Sequence, residues 1–170
     1  MGCDIHCFVE HKRKDQNRWE CFVGPVNPGR NYRVFAKLAG VRVDYYDSTV
    51  YPNPKGLPKD VSWTVDRHSW LYVADNPADS RHEGFCLREH ADLWVNGGLS
   101  KYNEDKSKVS NPDWHSHSWA TQEELSAAIK KSSRDKYSYG VNSEWTVLNS
   151  IMKEFKRLGE DVRLVYWFDN

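Results

Sequence analysis

Residues 3–10 read Cys-Asp-Ile-His-Cys-Phe-Val-Glu, and this alternation constrains the fold more than any other stretch of the chain. Successive side chains of a strand point to opposite faces. Cys3, Ile5, Cys7 and Val9 therefore share a small, apolar face suited to lie under helices, while Asp4, His6, Phe8 and Glu10 occupy the other. A strand of this kind needs neighbours. His11 to Asn17 is a charged turn, and Arg18–Val23 is the predicted return strand of a hairpin. Gly24–Gly29 is a loop by composition. Val162–Phe168 is a second strong strand, expected beside 3–10 in a mostly antiparallel sheet.

Helical signals fall between these strands. Asn31 caps a predicted helix to Ala39, with Val34, Phe35 and Leu38 as its apolar stripe and Gly40 as its stop. Thr121-Gln-Glu-Glu124 is a capping box that opens a helix to about Lys131, with Leu125, Ala128 and Ile129 inward. After a polar linker from Ser132 to Gly140, Trp145, Leu148, Met152 and Phe155 recur at helical spacing from Ser143 to Leu158, and Gly159 ends the run. The expected class is α+β. It has a mostly antiparallel sheet, including the N-terminal hairpin and the C-terminal strand, with about three helices packed on one face.

Residues 44–112 carry no long period and read as a long irregular insertion in a single domain spanning 1–170. Val41–Val43 and Ser69–Val73 are expected as short strands and Gly56–Ser62 as a structured loop. Insertions of this length usually serve a function or fold over a site. His68, His82 and His90 within it read as structural or exposed.

Charge excludes some functions. Lys+Arg and Asp+Glu both number 24, so no basic excess drives binding to duplex nucleic acid. A pocket for one small anion needs only two or three donors and is compatible with this balance. No apolar run approaches the ~18 residues of a membrane span, and the first residues have neither a basic nor an apolar leader segment. Gly2 does not open a myristoylation motif, because His6 stands where Ser or Thr is required. Cys3, Cys7, Cys21 and Cys86 lack CxxC spacing and read as free thiols of a reducing compartment, the cytoplasm. The chain has 8 Trp, more than its core needs. Some are expected to line a groove and stack on ligands, the alternative being an aromatic-rich core with amphipathic surface rings.

Asp4 and His6 project together from the first strand, about 7 Å apart at the backbone. They suit a divalent metal such as Zn or Mn, or a general base oriented by a carboxylate; a merely polar strand face is the plainer alternative. Asp113-Trp-His-Ser-His-Ser-Trp119 precedes the capped helix. His115 and His117 share a face if this segment is extended, and His115 could join Asp4 and His6 around a metal. Ser116, Ser118 and the helix N-terminus could instead hold a phosphate, or simply cap the helix. Arg30 and Arg42, with Tyr32, flank the first helix as candidate phosphate ligands, although Arg42 could equally pair with a carboxylate such as Asp60.

Several chemistries lack their motifs. There is no GxGxxG, P-loop, GxSxG or HExxH, and no deaminase-type HxE with PCxxC. Asp4-x-His6 matches the first block of calcineurin-like phosphoesterases without the later blocks, and His117-Ser-Trp119 is half of a two-histidine phosphoesterase signature.

Met-Gly-Cys-Asp-Ile-His6, Arg30-Asn-Tyr32, Phe35-Ala36 and Leu38-Ala-Gly-Val-Arg42 together resemble a family of small proteins of tailed phages and prophages. Gly56-Leu-Pro58, Asp60, Ser62, Asp113, His115-Ser116, Ser118-Trp119, Arg163-Leu-Val165 and Trp167-Phe-Asp-Asn170 look like its later blocks. The resemblance implies a phage accessory role in the cytoplasm of an infected bacterial host. By analogy of context, phage proteins of this size with Arg, His and aromatic pockets include binders and destroyers of nucleotide immune signals. The expected function is a phosphodiesterase-like hydrolase of a small nucleotide or cyclic nucleotide. Asp4, His6, His115 and His117 would be catalytic, with Arg30, Tyr32, Arg42, Ser116, Ser118 and Trp119 binding the ligand. A non-catalytic sequestering protein and a protein-interaction module are the alternatives, and a homodimer is compatible with each.

Overall fold

The computed structural model describes residues 2–43, 50–134 and 140–170. Its main sheet has four antiparallel strands in the order β2-β1-β7-β6, with β1 at Asp4–Lys12, β2 at Glu20–Val26, β6 at His115–Thr121 and β7 at Asp161–Asp169. The first and last strands pair as expected, over nine positions from Asp4 opposite Asp169 to Lys12 opposite Asp161. The return strand starts and ends slightly later than its pattern indicated and takes in Gly24 and Pro25. It lies at the sheet edge, where Pro25 can sit without removing a ladder hydrogen bond.

One face of the sheet carries Cys3, Ile5, Cys7, Val9, Leu164, Tyr166 and Phe168. Three helices cover it: α1 (Tyr32–Ala39), α4 (Gln122–Ser133) and α5 (Ser143–Arg157). Asn31 caps α1 by accepting from Val34 N, and Gly40 closes it in the left-handed conformation, donating to Ala36 O. The capping box of α4 forms in full. On α5 the stripe Trp145, Leu148 and Met152 is buried.

The opposite face is covered as well. Phe8, Val165 and Trp167 are buried there under Val65, with Leu57, Val61, Trp114 and Trp119 packed around them. This cover comes from the stretch that showed no period. It contains α2 (Trp63–His68), β3 (Leu71–Ala74), β4 (Phe85–Leu87), α3 (Arg88–Asn96) and β5 (Lys108–Val109). A 3-10 turn at Asp79–Arg81 lies between β3 and β4. The three strands form a second, mixed sheet in the order β4-β3-β5, parallel between β3 and β4 and antiparallel between β3 and β5. The expectation of about three helices is thus corrected to five α-helices and two sheets among the described residues. Elements of two to nine residues are too short to show a helical or strand period. Val41–Val43 is a turn rather than a strand, with Arg42 at φ 57°. Of the expected linker, 135–139 lies outside the described residues, and α4 extends through Ser133.

A buried ion pair ties the second cover to the sheet. Glu10 is fully buried; its carboxylate accepts from Ser62 N at 2.6 Å and from Arg163 Nε at 2.7 Å. The Arg163 guanidinium also donates to Asp60 Oδ1 (2.9 Å) and Asp60 O (3.0 Å), and lies 3.9 Å from the Trp19 ring centroid. Asp60 therefore pairs with Arg163, not with Arg42. Removing one partner of such a pair leaves the other charge buried and unmatched, which costs about 3–5 kcal/mol. Glu10→Ala is expected to lose that much in denaturant unfolding, and adding Arg163→Met should recover much of it. An unchanged Glu10→Ala midpoint would show that the pair does not anchor the 59–62 segment.

Candidate functional site

The second cover does not close flush on the sheet. Between them lies a recess of about 700 Å³, lined by His6, Phe8, Pro25, Trp63, Arg67, His68, Trp70, Leu71, Glu83, Gly84, Trp114 and Trp167. The size falls within the range of small-molecule sites. Its floor is a row of rings on the sheet. Trp167 stacks on Phe8 at 5.0 Å and on His6 at 5.7 Å, because His6 faces Trp167 across the β1–β7 ladder. Trp114 tilts against both His6 (5.7 Å) and Trp167 (5.6 Å). On the other side His68 tilts against Phe8 at 5.5 Å. Trp63 projects from the start of α2 and is 77% exposed. The Trp167 indole N–H is buried with no partner among the described residues.

His6 is the predicted catalytic residue that this recess contains. Its Nε2 lies 2.9 Å from Asp169 Oδ2, a carboxylate at the end of β7. The same Asp169 accepts Asp4 N through Oδ1 at 3.1 Å, so the ladder itself holds the carboxylate beside the ring. The carboxylate partner of His6 is therefore Asp169 rather than Asp4. Asp4 binds Arg30 in a two-pronged pair, Nε to Oδ1 at 2.7 Å and Nη2 to Oδ2 at 2.6 Å. That pair holds the Asp4 carboxyl down to about 2, and it occupies the Arg30 fork that was expected to grip phosphate.

The remaining predicted residues are dispersed. His115 and His117 do not share a face. Ser116 adopts φ 54° in a bulge where two residues of β6, Ser116 and His117, oppose one of β7, Trp167. His115 consequently stacks on Phe168, on the helix side, and His117 on Trp167, on the recess side. Burial lowers the His117 pKa to about 4, helped by the charges of His115, Lys101 and His6. It is neutral near pH 7 and unsuited to protonating a leaving group there. Ser116 Oγ contacts His115 Nδ1 at 2.9 Å. Ser118 is fully buried and accepts from Lys55 N at 3.1 Å. Trp119 packs beside the recess floor with Lys55 over its ring. Tyr32 accepts from Cys3 N at 3.3 Å, and Arg42 lies over the Tyr32 ring and donates to Asn170.

Two site expectations are corrected in consequence. Asp4, His6 and His115 do not gather around one point, and among the described residues no three His, Cys, Asp or Glu side chains do so. The N-terminus of α4 is no phosphate cradle either. Glu124 accepts Thr121 N, Thr121 Oγ1 accepts Glu124 N, and Glu123 adds a second carboxylate to the same turn. The capping box uses the Thr121 and Glu124 N–H groups, and Lys55 and Lys156 pair with the two carboxylates, so the chain's own groups already close this turn.

Trp63, Arg67, His68, Trp70 and Trp114 were missed as site residues. Trp63, Arg67 and His68 sit on the six-residue α2 with Trp70 just beyond it, Trp114 lies far along the chain, and the only sequence signal for them was the surplus of Trp. Cys3, Cys7, Cys21 and Cys86 are all free, and burial raises the pKa of each thiol, which makes them poor nucleophiles. Among the described residues no helix is long and apolar enough to cross a membrane. Compared with protein-family models, curated proteins and solved structures, the chain matches none.

The lowered His117 pKa links stability to pH. The unfolded chain takes up this proton near pH 6.5 and the folded chain only near 4. The stability conferred by the neutral ring is therefore full above pH 6.5 and falls between 6.5 and 4, by on the order of 3 kcal/mol. His117→Gln, neutral throughout, should lose less stability than wild type between pH 7.5 and 4.5 in parallel denaturant titrations. Identical losses would remove this role from His117.

Proposed function

We propose that this chain binds a small nucleotide in the aromatic recess and hydrolyses its phosphodiester, with His6 as general base. The observation that carries the reading is that His6, held by Asp169, lines one recess with Trp63, Trp114 and Trp167. Flat rings stack on a base with about 1–3 kcal/mol per base. Arg67 supplies a phosphate-capable guanidinium in the same lining, in place of Arg30 and Arg42. An imidazole whose one nitrogen is held by a carboxylate keeps the other for proton transfer. In the setting suggested by the phage resemblance, the ligand is a nucleotide or cyclic-nucleotide immune signal, met in the cytoplasm of the infected host.

A sequestering role is the second reading. It is favoured because only one of the four predicted catalytic side chains, His6, lines the recess. Both readings need the same aromatic contacts, so they separate on product and not on affinity.

Mass spectrometry of a panel of cyclic dinucleotides, cyclic mononucleotides and ADP-ribose derivatives, sampled before and after heat denaturation, tests both. Products that persist after heating mean hydrolysis; a compound that disappears and returns intact on heating means sequestration. In either case Trp63→Ala should weaken binding roughly 10- to 100-fold by loss of one stacking ring, with little change in melting temperature because that ring is exposed. Unaltered affinity in Trp63→Ala, or a panel left free throughout, would reject the recess as a nucleotide site.

A further inference from the structure

We infer that His68 is the acid partner of His6, and that the substrate is a ribose phosphodiester whose own 2′-hydroxyl is the nucleophile. The inference rests on the nucleotide reading of the recess and specifies its chemistry.

Both histidines are held so that one nitrogen each is left for chemistry. His6 presents Nε2 to the Asp169 carboxylate at 2.9 Å. His68 presents Nδ1 to the Thr64 carbonyl at 2.8 Å. Both of these oxygens accept, so the proton of each neutral ring resides on the nitrogen that faces it. Nδ1 of His6 and Nε2 of His68 are then the basic positions. The two rings line the same recess, separated along its floor by Trp167 and Phe8, whose stacking fixes the platform between them. Asp4 and His117 are the other titratable groups that act on His6, and Arg67 and Glu83 line the recess with His68.

A base and an acid on the lining of one recess can serve an in-line displacement at a phosphorus seated between them. His6 Nδ1 takes the proton of the ribose 2′-hydroxyl, and the 2′-oxygen forms a bond to phosphorus. The bond from phosphorus to the 5′-oxygen breaks, its electron pair stays on that oxygen, and His68, protonated at Nε2, gives it a proton. The products are a 2′,3′-cyclic phosphate and a free 5′-hydroxyl. His6 ends protonated and His68 neutral. Attack of water on the cyclic phosphate, with His68 as base and His6 as acid, restores both. The step requires no species beyond substrate, water and the two imidazoles. Arg67 can meet the charge that develops on the non-bridging oxygens. The base role given to His6 above is unchanged; the new elements are its partner, the nucleophile and the ribose requirement.

The test uses the full chain with ApA, its 2′-deoxy analogue and a 5′-thio-bridged ApA whose leaving group needs no proton. Binding is read by Trp fluorescence and products by mass spectrometry. The expected result is that both ApA and the deoxy analogue bind, only ApA is cleaved, and a cyclic phosphate appears before the final monophosphate. General acid catalysis contributes about 10²–10⁴-fold, so His68→Ala and His68→Gln should slow ApA by that factor while the thio-bridged substrate is cleaved almost as fast as by wild type. His6→Ala should slow both. Melting curves of the two His68 variants, whose side chain is exposed, control for folding. Cleavage of the deoxy analogue, or equal slowing of ApA and the thio-bridged substrate in the His68 variants, overturns the inference while leaving the nucleotide site intact. Binding without cleavage overturns it in favour of sequestration. Failure of either dinucleotide to bind overturns the nucleotide reading and this inference with it.

Discussion

The nine-position ladder between β1 and β7 is the interaction on which the rest of the structure depends. It joins segments about 150 residues apart and places them at the centre of the main sheet. One side of this ribbon receives α1, α4 and α5; the other receives the row Phe8, Val165 and Trp167 with the cover built from the middle of the chain. The ladder also sets the floor of the recess. It sets His6 opposite Trp167 and brings Asp169 to the His6 ring. A slip of one residue would send His6 and Phe8 to the helix side. Fold and site therefore rest on one register.

Charge is distributed along the ribbon by the same register. At one end Asp4 and Arg30 neutralise each other beside Asp169 and His6. At the other, Glu10, Arg163 and Asp60 form a satisfied network under Trp19. Most strong ionisable groups of the β1–β7 pair are thus matched in place, and His6 is the one that lines the aromatic recess. A nearly neutral protein can in this way keep one imidazole in an aromatic setting without exposing an unpaired buried charge.

The legible parts of the fold were those whose signal is local. The alternation of 3–10, the cap at Asn31, the capping box at Thr121 and the stripe from Trp145 to Met152 each reports its element within a few residues. The recess was not legible because no local spacing joins His6 to Arg67, His68 and Trp114. One clue was present. Val162–Phe168 is apolar at nearly every position, which fits a strand covered on both faces better than one with helices on a single face. The face assignment of His115 and His117 failed for another reason. A regular extended strand puts residues two apart on the same side, and the left-handed Ser116 breaks that rule. His68 was read as structural or exposed and is exposed; its place in the recess lining was not legible because one histidine at the end of a six-residue helix has no distinguishing neighbour in sequence.

The long separation between the two central strands bears on synthesis. A hairpin alone is marginal in water, and β1 and β2 have little else to hold them until β7 emerges from the ribosome. Until then Ile5, Cys7, Val9 and Phe8 lack their principal neighbours across the ladder, and the apolar faces of α1, α4 and α5 lack a complete sheet to cover. Closure of such distant contacts is slow, and exposed strand edges invite pairing with other chains. Folding of this protein accordingly waits on contacts between two strands about 150 residues apart. A chain halted before residue 161 would lack its central ladder, with the apolar face of β1 left uncovered.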